Sequence, residues 1–408
     1  MAVLLMLGIL CISCPLALLV ALAGIVIDYK RCKAYAFVLA ACLAVIAYSY
    51  VPKGESDLTR YFRDMEAANS YSLGAYLAYM GDNLFVINTA FWISGRLGLP
   101  HLVPALSTFA VYGIAFYLTT DYATIKGMEK NAWKVILIQF ACLNFSAILN
   151  NVRNIFAFSI IILAIYFEIV KKKKKAISIP LYILACFIHE SAVILVLARV
   201  AQIVLRKRII IAAVLAALVP VVINYLFEYY RAISGYGSLG VIVSNLILTS
   251  YRAMNSTSRW ATVIMTSTRH LADRYLCIAF SVFVFVKILQ ALRKQSDETF
   301  FQFVSLVALL TVSTNVFRTP AYWRLFSACV CCSGPILLFS MNKRVFGKND
   351  ITISIIGFGL LAGMLFSVHF FNSFAEINYI DLLSQTMMSP LVVIIFEFIV
   401  GVVRGNLL

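Results

Sequence analysis

The chain has 408 residues, 62% of them hydrophobic and 13% charged, with a formal net charge of +16. Its mean hydropathy of +0.92 excludes a soluble domain, which at this length needs a far larger charged surface. Apolar runs of about 18 residues or more recur along the chain, which suits spanning helices and not the shorter alternating strands of a β-barrel.

The expected class is therefore an all-α integral membrane protein, with residues 1–408 forming a single polytopic domain. The first run, Ala2 to Ile27, lacks a basic n-region and outlasts a signal-peptide core, so it reads as a permanent helix. Cys11 and Cys14 form a C-x-x-C inside it. With no histidine nearby, they read as small apolar packing residues, like the other cysteines.

Basic residues in short loops mark the cytoplasmic side. The strongest marker is Lys171 to Lys175. The others are Lys30/Arg31/Lys33, Lys126/Lys130/Lys134, Arg206/Lys207/Arg208, Arg293/Lys294 and Lys343/Arg344/Lys348. Consecutive markers must enclose an even number of crossings, and this parity decides two segments. In 52–100 the apolar piece Leu84 to Leu97 is short and carries Asn88 and Arg96, so it reads as an interfacial helix on the outer face. In 176–205 parity demands two short helices meeting near His189–Glu190–Ser191, which puts the histidine on the outer side. The spans become 2–27, 34–51, 101–120, 132–149, 155–170, 176–188, 190–205, 209–226, 271–292, 300–317, 321–341, 351–370 and 386–403. That is about 13 transmembrane helices, N-terminus out and C-terminus in, with long outer segments at 52–100 and 227–270.

Sorted by side, only Lys53 of the 16 lysines lies outside. Of the 18 arginines, eleven do: Arg60, Arg63, Arg96, Arg153, Arg231, Arg252, Arg259, Arg269, Arg274, Arg318 and Arg324. Outer arginines run against the positive-inside bias. Their planar fork matches phosphate or carboxylate bidentately, whereas lysine offers a point charge. Those in the long loops fit pairing with Asp57, Asp64, Glu66, Glu228 and Asp273 or with lipid phosphates. Arg153, Arg318 and Arg324 sit in tight turns or helix starts between apolar runs, where a charge is costly and marks function.

Four short segments would then meet at the outer face: Asp57-Leu58-Thr59-Arg60-Tyr61-Phe62, Asn150-Asn151-Val152-Arg153-Asn154, Phe187-Ile188-His189-Glu190-Ser191, and Arg318-Thr319-Pro320-Ala321-Tyr322-Trp323-Arg324. They supply cations, amides, aromatic rings and one imidazole. Aromatic faces beside amides suit sugar rings, and the arginines suit a polyanionic head group on a lipid. No D-x-D pair lies outside and no histidines have ligand spacing, so neither metal nor cofactor is expected. His101, His270 and His369 are isolated and read as interfacial or packing residues.

At these segments the sequence resembles the EpsG-like branch of the Wzy polysaccharide polymerases. Asp57, Arg60, Tyr61 and Phe62 match its D-x-x-R-Y-[YF] element after the second helix. Arg153 and Lys171–Lys175 match its arginine turn, apolar helix and basic run. Phe187, Ile188, His189, Ser191 and Ala192 match [FL]-I-H-x-S-A, and Trp323 with Arg324 matches its late-helix arginine after an aromatic. Asn154 stands where the pattern has glutamine, and keeps an amide. The resemblance covers roughly residues 1–340. It implies a metal-independent, GT-C-like glycosyltransferase in the bacterial plasma membrane, with its active site facing the periplasm or cell exterior. Such an enzyme joins oligosaccharide repeat units from undecaprenyl-diphosphate-linked donor and acceptor, alongside membrane lipid and a chain-length regulator, with no nucleic acid partner. The implied roles are diphosphate and substrate binding by Arg60, Arg153, Arg318, Arg324, Tyr61, Asn154 and Tyr322. For the base that takes the acceptor proton, His189 has a suitable intrinsic pKa, and Glu190 and Asp57 are rivals. A ligase using the same lipid would need the same groups. A flippase would favour midplane charges and an internal repeat, and it ranks lower.

Overall fold

A backbone in lipid must satisfy its own hydrogen bonds, so long apolar runs fold as helices. The computed structural model describes residues 8–10, 13–52, 56–81, 84–172, 175–204, 209–235, 240–241, 243–244, 247–248, 251, 268–294, 299–317, 319, 321–341, 357, 359 and 362–363. These residues contain helices and no strand. In chain order the helices are α1 Cys14–Ile27, α2 Cys32–Tyr48, α3 Asp57–Ala67, α4 Leu73–Met80, α5 Phe85–Arg96, α6 Leu102–Lys126, α7 Glu129–Cys142 and α8 Phe145–Asn150. There follow α9 Val152–Ile169, α10 Lys175–Ile188, α11 Ala192–Val204, α12 Ile209–Ser234, α13 Thr268–Lys294, α14 Thr299–Val316 and α15 Tyr322–Ser340. Among the described residues six segments are long and apolar enough to cross a membrane: Tyr29–Tyr48, Leu102–Lys126, Val152–Ile169, Leu271–Leu292, Thr299–Val316 and Tyr322–Ser340. The protein is an all-α membrane protein.

Several boundaries differ from the sequence reading. The span expected at 132–149 is broken: α7 ends at Cys142, and Asn144 starts α8 by accepting the Ala147 N–H at 3.0 Å. An asparagine cap competes with helix continuation, and here it wins. The outer segment 52–100 holds three helices. The expected interfacial piece is α5, and amphipathic α3 buries Leu58, Tyr61 and Met65 at helical spacing. The segment expected to leave the membrane at 227 stays helical to Ser234. The spans at 351–370 and 386–403 lie outside the described residues apart from four scattered positions, as do the markers Arg206/Lys207/Arg208 and Lys343/Arg344/Lys348.

The hairpin at 176–205 is present, with α10 ending at Ile188 and α11 beginning at Ala192. At the centre stands α15, with nearly every side chain buried. Gln139 of α7 locks it to α6: its amide donates to the Val330 carbonyl at 3.2 Å and its oxygen accepts from the Thr119 hydroxyl at 2.7 Å. Gly334 lets the α15 backbone approach Thr119 there, since a Cβ would collide with that side chain. Helices α6 and α9 start together, where the Ser107 hydroxyl donates to the Val152 carbonyl at 3.3 Å. They also end together, where Lys171 meets Asp121 at 2.6 Å. The bundle thus has a lysine end, with Lys126, Lys171 and Lys172, and an opposite arginine end.

On the arginine end, α3 lies across α5 at a distance only glycine allows, because a Cβ at Gly95 would strike the Met65 carbonyl. Gly95→Ala should lower stability by about 1–3 kcal/mol, read as a fall in the thermal midpoint of the purified protein. Cysteines introduced at Glu66 and Lys172 should react with an impermeant maleimide from opposite sides of sealed vesicles. Labelling of both from one side would overturn the two-ended arrangement.

Candidate functional site

Four helix starts converge at the arginine end, each carrying part of one site. Helix α3 is nucleated by Ser56, whose hydroxyl accepts the Thr59 N–H at 3.1 Å. Its first turn then presents Asp57, Arg60 and Tyr61. Arg60 pairs with Asp57 at 3.2 Å. Both side chains are more than a third exposed, so water screens the pair and it adds little stability. Tyr61 is buried, with its ring 5.4 Å from that of Phe91.

The second start follows the tight α8–α9 turn. The Asn150 and Asn151 amide nitrogens fold back onto the carbonyls of Ser146 and Ala147, at 3.0 and 2.9 Å, and close α8. With its nitrogen held, Asn151 turns its oxygen outward. Arg324, in the first turn of α15, donates its Nε to that oxygen at 2.8 Å. Arg153, in the first turn of α9, places its guanidinium 4.8 Å from the Tyr61 ring centre, and Arg60 stands 5.3 Å from the same ring. Such cation–π contacts are worth about 0.5–2 kcal/mol each and help hold like charges together. Arg324 lies within electrostatic reach of Asp57, Tyr61 and Arg153.

The α10–α11 turn supplies the fourth start. The Ser191 hydroxyl bonds to the Asn154 side-chain oxygen at 2.8 Å, tying the turn to α9. The Ser191 N–H donates to His189 Nδ1 at 3.1 Å. Burial, together with the charges of Arg153 and Arg324, pushes the His189 imidazole down to about 3. It is therefore neutral at neutral pH. Glu190 stands half-buried beside it.

The expected site residues Asp57, Arg60, Tyr61, Arg153, Asn154, His189, Glu190 and Arg324 thus fall on elements that meet at one place. Tyr322 does not join them. It is fully buried, within electrostatic reach of Asp273 and Arg274, which belong to a separate polar cluster. In that cluster Arg274 donates to the Asn315 side-chain oxygen and carbonyl at 3.0 and 2.7 Å, and the Asn315 amide donates back to the Arg274 carbonyl at 3.0 Å. Arg318 lies outside the described residues.

Asn151 and Ser191 lie within the segments expected to meet but have no role of their own in the sequence reading. The polar Asn150-Asn151 run inside an apolar stretch was the readable signal for the first, and Ser191 lay within the hairpin motif. At the lysine end the isolated charges Asp121, Glu168 and Arg199, each within an apolar helix, also went unread. Glu168 pairs with Arg199 at 2.6 Å and accepts from the Tyr182 hydroxyl at 2.7 Å.

The geometry gathers positive charge at this end of the bundle. Peptide dipoles make helix N-termini positive, so anions are stabilised there and cations are not. Arg153 and Arg324 nevertheless occupy the first turns of α9 and α15, with Asp57 within electrostatic reach of Arg60 and Arg324, and Asp64 of Arg60.

The depressed His189 value has a consequence for stability. Above pH 6.5 the imidazole is neutral in both states and contributes nothing. As pH falls from about 6.5 toward 3 the unfolded chain takes up a proton that the folded chain refuses, so folding loses stability. The thermal midpoint of the native protein should fall more steeply over that window than that of His189→Gln, and equal slopes would mean the imidazole titrates normally in the fold. The chain matches no family model, no curated protein and no solved structure, and its site is defined by the geometry of its own side chains.

Proposed function

We propose that the protein is a polysaccharide polymerase that joins oligosaccharide repeat units carried on undecaprenyl diphosphate, at the outer face of the bacterial plasma membrane. One observation carries this reading: Arg60, Arg153 and Arg324, from three distant parts of the chain, gather around Tyr61 with Asn151, Asn154 and His189 in reach. The resemblance to the EpsG-like Wzy proteins, carried by the same residues, supports it. In this reading the chain has the thirteen-helix topology of a GT-C-like glycosyltransferase, its lysine end faces the cytoplasm, and a chain-length regulator acts beside it.

A diphosphate brings two or more negative charges to a place where cations crowd the positive ends of helices. Its binding relieves repulsion among the arginines and lets each fork make charge-assisted hydrogen bonds. As the glycosyl–phosphate bond breaks, negative charge grows on the departing oxygen. Preorganised guanidiniums stabilise that growth more than they stabilise the ground state, which is the condition for catalysis. The acceptor hydroxyl attacks the anomeric carbon and must lose a proton, with Asp57, Glu190 and His189 the titratable groups at hand. The exposed Arg60 side of the site faces incoming glycan, and the half-buried Arg153 and Arg324 form its floor. The chemistry needs no metal, because the arginines supply the positive charge.

Purified protein given its lipid-linked repeat unit should form a ladder of longer glycans in the presence of a chelator. Arg153→Ala and Arg324→Ala should each lower the rate by about 100-fold or more. Ladder formation at full rate by either variant would overturn the diphosphate role. Single transfer to a different acceptor, without a ladder, would mark a ligase instead.

A further inference from the structure

We propose that His189 serves the reaction as a neutral hydrogen-bond donor to the departing diphosphate, keeping its proton throughout, and not as the base that activates the acceptor. This inference rests on the glycosyl-transfer reading and assigns one role within it.

The geometry of the turn carries it. A neutral imidazole has one N–H and one lone pair, and the hydrogen bond at one nitrogen fixes which is which. Nδ1 of His189 accepts the Ser191 N–H at 3.1 Å, so its lone pair is used and the proton resides on Nε2. Neither partner is free to drift. The His189 backbone N–H donates to Ala185 at 3.0 Å and its carbonyl accepts from Ala192 at 3.0 Å. The Ser191 side chain is bonded to Asn154 on α9. The ring is thus built into the start of α11 as a cap, with the backbone amide dictating the tautomer.

The neighbouring charges point the same way. Accepting the acceptor's proton would leave an imidazolium beside the guanidiniums of Arg153 and Arg324, both of which act on the ring electrostatically. A third cation in that space is opposed at the moment the base is needed. An Nε2–H donor has no such difficulty, because it meets developing negative charge without gaining charge itself. In the balanced step, the acceptor oxygen bonds to the anomeric carbon and the carbon–oxygen bond to phosphate breaks. The electron pair stays on the diphosphate, and the hydroxyl proton passes to the carboxylate of Glu190 or Asp57.

Glutamine separates the two roles, since its amide N–H can take the place of Nε2–H but it cannot act as a base. In the ladder assay His189→Gln should keep its rate within about ten-fold of the native protein, whereas His189→Ala should lose about 100-fold or more. His189→Gln as inactive as His189→Ala, with both folded by thermal melting, would overturn the donor role. That outcome leaves the polymerase reading intact, because the native ladder and the Arg153→Ala loss test it separately. A second measurement does not depend on turnover. Nitrogen-15 spectra of histidine-labelled protein at pH 7, with and without inorganic diphosphate, should show a neutral ring protonated on Nε2, with the signal assigned by its absence from His189→Gln. A cationic ring, or a neutral ring protonated on Nδ1, would refute the proposal.

Discussion

The structure depends on a single unfavourable placement: guanidiniums at the positive ends of helices. Arg153 and Arg324 each stand in a first turn, where the aligned peptide dipoles already project positive charge. Arg60 joins them from the first turn of α3. In water such a cluster would be mildly repulsive, but between apolar helices the effective dielectric falls and each interaction strengthens. The protein compensates in part and with neutral groups. The Tyr61 ring offers its electron-rich face to two of the arginines, Asn151 turns a carbonyl oxygen to the third, and Asp57 supplies charge at the exposed rim. The asparagines at 150, 151 and 154, the short helix α8, the amphipathic α3 and the hairpin at His189 can all be understood as fittings that hold this cluster together. They bring three guanidiniums together at one place.

Holding the hairpin in that place falls to the opposite end of the bundle. Glu168 on α9 binds Arg199 on α11 and Tyr182 on α10, so both arms of the hairpin are tied to one carboxylate. Gln202 extends the chain of contacts from Arg199 to Gln302 on α14, at 3.1 Å for the last link. The pair is partly buried, so removing either partner leaves a charge with incomplete access to water and destabilises the hairpin. Asp121 performs the same service between α6 and α9, accepting from the Tyr166 hydroxyl at 2.8 Å and pairing with Lys171. Tyr182 and Arg199 lie about midway along their helices, and their shared tie to Glu168 sets the register in which the His189 turn meets Asn154.

Most of the helices were legible because lipid permits so few alternatives. The split at His189 came from counting lysine runs, since nothing in the apolar pattern of 176–205 marks a turn except that polar triplet. The break at Leu143–Asn144 was missed because one asparagine in an apolar run is weak evidence until the cap is seen to form. The site was legible in part. Charged, amide and imidazole groups in otherwise apolar turns identified Arg153, Arg324 and His189, because burying such groups is expensive. Their pairings were not legible. Asn151 and Arg324 are 173 residues apart, and no local pattern says which asparagine of the turn will face the arginine. Tyr322 shows the same limit. Two positions apart on the first turn of α15, Tyr322 lies within electrostatic reach of Asp273 and Arg274 while Arg324 meets Asn151.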